Sequence, residues 1–174
     1  MSEVASGLLH PLTTPTHILI LLGLGLLIGQ HQPLNLKMPL LVFVPVSALA
    51  LVLTCFGWIS NFYQPLLIAI ALAGGILVAL EKTIPPWLAR LLFGAAALAI
   101  GLDSRVESAS MLVVLKTLAG TWLCLIIVLA DVAIYGSYCA KRKWMQIGTR
   151  VIGSWIVAIS MLVLAFALRK PASL

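Results

Sequence analysis

The sequence predicts an all-α integral membrane protein: a compact bundle of six transmembrane helices, one domain over residues 1–174, with both termini on the external face. Three observations lead there. Hydrophobic residues make up 62% of the chain and charged residues 9%, where soluble domains run near half and a quarter. The apolar residues fall in long runs parted by short polar stretches. The basic residues gather in alternate connections.

At about 20 residues per crossing, a chain of this length holds about six helices and leaves no room for a soluble domain. The apolar segments run over 15–30, 38–58, 64–81, 86–102, 109–136 and 150–168. Pro15, Pro39, Pro65 and Pro86 open the first four, each near a first turn where a missing N–H costs nothing. Thr14 is the expected N-cap of the first. The fourth, "PPWLARLLFGAAALAIG", is short and carries Arg90 near its edge. A re-entrant helix is the alternative there, but Trp87 and Arg90 can anchor a full span at the interface. The fifth holds Lys116 and Asp131, too far apart to pair at about 22 Å along a helix. The sixth follows the basic stretch "CAKRKWMQIGTR".

Orientation follows from charge. Six crossings place the connections after the first, third and fifth helices on one face, with Lys37, Lys82, Lys141, Arg142, Lys143 and Arg150, and Arg90 close by. The other face holds Arg105, Arg169 and Lys170, plus Lys116 if it reaches that side. The excess assigns the first group to the cytoplasm. A net charge of +6 is thus read as membrane topology, not as affinity for nucleic acid. The Lys141–Arg150 stretch is expected to be a loop resting on anionic lipid or docking a membrane-protein partner. Cys55, Cys124 and Cys139 have no paired spacing and read as packed thiols. No basic region precedes the first apolar run, so a cleavable leader is not expected.

Small residues mark close helix contacts: Gly23, Gly25 and Gly29 on the first segment, Gly74 and Gly75 on the third, Gly94 to Ala97 on the fourth. The first and fourth segments both begin near prolines and end in Ile-Gly, a pattern that an inverted repeat would produce.

In so apolar a chain every ionisable side chain needs a reason, because charge within lipid costs several kcal/mol without a partner or water. His10 and His17 share one face if the first helix begins early. With Pro15 at its start, His10 is instead expected on an incoming loop folded over the helix end. Asp103 and Glu107 follow the fourth segment and, by the topology above, reach the same external face. Two imidazoles and two carboxylates at one mouth suit a borderline divalent cation; helix capping and a solvated loop with local ion pairs is the plain alternative. Asp131, near the inner half of the fifth helix, is read as an inner relay or as the partner of a basic residue at the cytoplasmic edge.

The stretch "HPLTTPTHILILLGLGLLIGQ" resembles the first transmembrane segment of the HupE/UreJ family, six-helix nickel permeases that accompany hydrogenase and urease systems. The likeness continues more loosely through "VPVSALALVLTCFG" and "IAIALAGGILVAL". His10, Pro11, Leu12 and His17 match the family's motif, while Thr14 stands for its Gly and Thr16 for its Asp. Leu67 replaces an acidic residue of the third helix. The histidine-rich motif after the fourth helix falls on "LDSRVES", with Asp103 and Glu107 as the nearest substitutes, and Asp131 falls near a fifth-helix His.

The resemblance implies transport of a divalent transition metal ion, nickel or another, through a polar path in the bundle. His10, His17, Asp103 and Glu107 would capture the ion and Asp131 relay it. The alternative is a non-transporting structural or accessory subunit of a larger membrane complex that has lost the family's ligands. No catalytic residues or resident cofactor are expected. The expected partners are the lipid bilayer, a divalent metal ion and a docked membrane protein, and the expected host is a bacterial inner membrane or a photosynthetic one.

Overall fold

The computed structural model describes residues 3–54, 63–104 and 110–169. Seven helices make up these residues: α1 (Glu3–Thr13), α2 (Pro15–Gln30), α3 (Lys37–Thr54), α4 (Tyr63–Leu80), α5 (Pro86–Asp103), α6 (Met111–Cys139) and α7 (Lys143–Leu168). By length and composition α3, α5, α6 and α7 can each cross a membrane, and α1 with α2 pass as a pair bent by 77°. The apolar stretch of α4, Gln64–Leu80, is shorter. The chain is an all-α, multi-pass membrane protein.

α2 is the central element. It is apolar on every side, and a helix of that kind must be enclosed by others. Eleven of its residues, from His17 to Gly29, are buried. It packs mainly on α6 and α4, while α3 packs on α5 and α4 on α7. Glycines permit these approaches. A Cβ on Gly23 would meet the backbone of Gly74, and one on Gly29 would lie 2.6 Å from the Ala133 oxygen and from backbone atoms of Gly136. Gly75 meets Gly153 on α7, and Gly101 meets Ser47 and Ala50 on α3. The small-residue reading of the sequence therefore holds at Gly23, Gly29, Gly74 and Gly75.

The contacts also set direction. Gly25 lies against Val132 and Gly29 against Gly136, so α2 and α6 run parallel. Gln30 reaches Val78 while Gly23 meets Gly74, so α4 runs with them. Arg150 reaches Ala79, which sets α7 the opposite way. Lys37, Lys82, Arg90 and Lys141–Lys143 thus collect at one end of the bundle, and His17 lies at the other.

Three local expectations change. Residues 3–13 form a helix, α1, where an incoming loop was expected. Gly7 and Val4 press it against Thr117 and Gly120 of α6, and Thr121 donates to the Gly7 carbonyl at 3.1 Å, so tertiary contact holds a segment too short to be helical alone. Thr14 occupies the N-cap position of α2 without a side-chain cap. Its hydroxyl turns back to the His10 carbonyl at 3.0 Å, as does that of Thr13, so side-chain hydroxyls close the last turn of α1. The basic Lys141–Arg150 stretch is no loop: α6 runs on to Cys139 and α7 starts at Lys143. Lys, Trp, Met and Gln tolerate a helix well, and Gln146 Nε2 donates back to the Ala140 carbonyl.

Gly29→Ala drives a methyl into backbone that cannot yield and is expected to cost about 1–3 kcal/mol. Gly148→Ala, with nothing within 4 Å of its added Cβ, is expected to be neutral or to gain up to about 1 kcal/mol of helix propensity. Thermal unfolding in detergent compares the two.

Candidate functional site

The enclosure of α2 decides the chemistry at its start. His17, in the first turn after Pro15, is fully buried (0% exposed). Its Nε2 lies 3.0 Å from Oδ2 of Asp103, the last residue of α5, whose side chain keeps 34% of its surface. A carboxylate only accepts, so Nε2 carries the proton and donates; a ring with that one proton has its lone pair on Nδ1. That Nδ1 is enclosed and has no hydrogen-bond partner.

The 77° bend between α1 and α2 brings a second imidazole back over this one. The His10 and His17 rings stand 5.8 Å apart between centroids, edge to face at 77°. His10 Nε2 is likewise buried without a partner. Burying an unsatisfied polar atom costs about 1–3 kcal/mol, so two such nitrogens on adjacent rings leave a polar demand that a bound cation would meet wherever the nitrogen carries its lone pair. Ser104 continues the end of α5, buried, with its hydroxyl donated to the Ile100 carbonyl at 2.8 Å.

The structure thus joins three of the residues singled out from the sequence, His10, His17 and Asp103. Glu107 lies outside the described residues. Asp131 is not brought to the others. α6 turns Leu125, Leu129, Ala133 and Gly136 inward, and Asp131, two positions from both Leu129 and Ala133, is exposed on the outer side. It also sits level with the middle of α2, about 12 Å along the axis from His17. Among the described residues no group of three or more His, Cys, Asp or Glu side chains is arranged to hold a metal ion.

The far end of α2 holds polar residues that the sequence reading passed over. His31 Nδ1 donates to the Leu27 carbonyl at 2.8 Å, Gln30 reaches α4 at Val78, and Gln32 reaches Ser137 of α6. A lone His between two Gln and before a Pro looks like loop; the one available signal was that it closes the most apolar helix-forming run of the N-terminal third.

Residues 1–163 match the family described as HupE / UreJ protein. The chain belongs to the HupE/UreJ family. The comparisons with curated proteins and with solved structures find no match. Within the family frame, Leu67, standing where the resemblance places an acidic side chain, is 1% exposed in the main apolar core beside Ile70 and Ala71. No charge is needed at that position here. The carboxylate opposite the histidines comes instead from Asp103 on α5.

Asp103→Ala should remove a charge-assisted hydrogen bond and destabilise the protein by about 1–3 kcal/mol. In His17→Ala the same change should cost clearly less. A double-mutant cycle in detergent unfolding reads the coupling, and strict additivity of the two losses would contradict the pairing.

Proposed function

We propose that this HupE/UreJ protein carries a divalent transition metal ion across a bacterial inner membrane, with nickel the first cargo to test in a family associated with nickel and cobalt transport. In this reading α2 to α7 cross the bilayer and the basic end faces the cytoplasm by the positive-inside bias. The mouth at His10 and His17 then opens externally, with both termini on that side.

The observation that carries the reading is the pair of unpartnered buried nitrogens, His10 Nε2 and His17 Nδ1. Imidazole suits nickel, cobalt, zinc and copper. A ligating His typically donates its second N–H to an oxygen that fixes its tautomer and orientation, and the Asp103 carboxylate does this for His17. Asp103 therefore acts in this scheme as the group that aims His17, in place of the direct ligand role expected of it.

Two protein ligands leave most of the coordination sphere to water. Closed four-ligand sites belong to structural metals; a carrier has to let go, so an open pair fits capture and release. The scheme involves no covalent step, and no enzymatic reaction is assigned.

The competing reading, an accessory subunit without transport, draws on the lack of a three-ligand group among the described residues. Reconstituted vesicles separate the two. Nickel uptake is expected in the unaltered protein and should fall at least about tenfold in His10→Ala and in His17→Ala. Asp103→Asn, which keeps a hydrogen-bonding side chain but loses the charge, should retain partial uptake with weakened affinity, on the order of 10–100-fold. Absence of uptake together with a stoichiometric membrane partner on purification would establish the accessory role.

A further inference from the structure

Asp131 is the polar side chain that the fold leaves without a purpose. It lies on the outward face of α6, exposed in one file with Leu123, Ile127 and Tyr135, while Leu125, Leu129 and Ala133 turn inward. Packing fixes its depth. Gly25 of α2 meets Val132, and Gly23 meets Gly74 of α4, so Asp131 is level with the middle of α2 and with Gly75. Gly75 in turn meets Gly153 and Ile156, which straddle the midpoint of α7. An ionisable side chain set against lipid at that depth is costly and ordinarily faces a partner. Among the described residues no hydrogen bond or ion pair engages Asp131. Lys141, the next basic residue along the chain, sits instead over the Tyr138 ring, 5.3 Å from its centroid.

Arg150 is the counterpart on α7. Among the described residues it is the Lys or Arg set farthest inside a helix, and it too is exposed. Its Nε donates to the Ala79 carbonyl at 3.1 Å, which leaves the terminal N–H groups of the guanidinium for another acceptor. Ala79 lies four positions beyond Gly75, so Arg150 is about one turn, about 6 Å, nearer the basic end than Asp131. A long flexible stem covers that step. α6 thus presents an acid to lipid and α7 a base at similar depth, and the chain does not pair them.

We propose that these outer faces form the interface between two copies of this chain, with Asp131 of each copy paired to Arg150 of the other. A two-fold axis along the membrane normal lays α6 of one copy against α7 of its partner, twice over. The carboxylate and guanidinium then meet as a planar, two-pronged ion pair. A second copy answers both groups at once, whereas an unrelated helix carrying only a base would leave Arg150 against lipid. The interface does not depend on the transport reading.

The full chain in lipid vesicles, at rising lipid dilution, provides the test, with energy transfer between donor- and acceptor-labelled copies reporting association. The unaltered protein is expected to dimerise. Asp131→Leu and Arg150→Leu should each weaken the dimer at least about tenfold. Each should also raise the unfolding temperature of the monomer, because an apolar side chain replaces an ionisable one in lipid. Charge reversal supplies the sharper comparison. Asp131→Arg alone, or Arg150→Asp alone, opposes like charges at both contacts and should stay monomeric. Mixed, the two variants should form dimers holding one of each, because both contacts are then opposite in sign. Unaltered protein that stays monomeric overturns the proposal, as does a dimer that both leucine variants leave intact. Folded reversal variants that fail to associate when mixed overturn it as well; if a reversal does not fold, the leucine variants decide.

Discussion

Lipid gives helices no hydrophobic reason to associate, so the bundle depends on how closely backbones can approach. In this chain that constraint falls on α2. Gly23 lets α4 in, and Gly25 and Gly29 let α6 in along the same helix. The result is a 16-residue helix enclosed along most of its length, with the remaining helices arranged around it. Were those positions larger, α2 would move outward and its polar ends with it.

Enclosure of the helix carries His17 to zero exposure, and a buried imidazole there requires a partner. α5 supplies one because Gly101 seats its C-terminal turn against Ser47 and Ala50 of α3, which sets Asp103 opposite the ring. The bend at Thr14–Pro15 does the rest. The hydroxyls of Thr13 and Thr14 take up the His10 carbonyl, and α1 folds back with His10 above His17. Helix packing, a proline and two threonines together build the imidazole pair.

The metal site proposed here would be underfilled by protein, and that is its chemical interest. One nitrogen of His17 is committed to Asp103, and one nitrogen on each ring remains unmatched. A site completed by water exchanges its ion more readily than a closed cage. At the other end of the same helix, His31 is held by a backbone carbonyl within a basic surround. α2 is thus an apolar rod with a hydrogen-bonded imidazole near each end.

Much of this could be read from the chain alone. Apolar fraction and run length dictate a multi-pass helical protein, since only helices satisfy their backbone in lipid without pairing to an edge. The HPLTTPTH stretch singles out His10 and His17, and alternation of direction along the chain brings Asp103 to their side. Rotation about the helix axes was not legible. Whether Asp131 looks into the bundle depends on which face of α6 meets Gly29, a contact more than a hundred residues apart in sequence. The helicity of α1 was hidden for the same reason, since its stabilising partners are Thr117, Gly120 and Thr121. The α7 start was hidden because charge suggested a loop where helix propensity was adequate. His31 acquires a defined place only through the Leu27 carbonyl that its ring meets. Composition determines that helices form and which solvent they meet; only packing decides which way each side chain faces, because a turn of a few tens of degrees costs a helix nothing until its neighbours are in place.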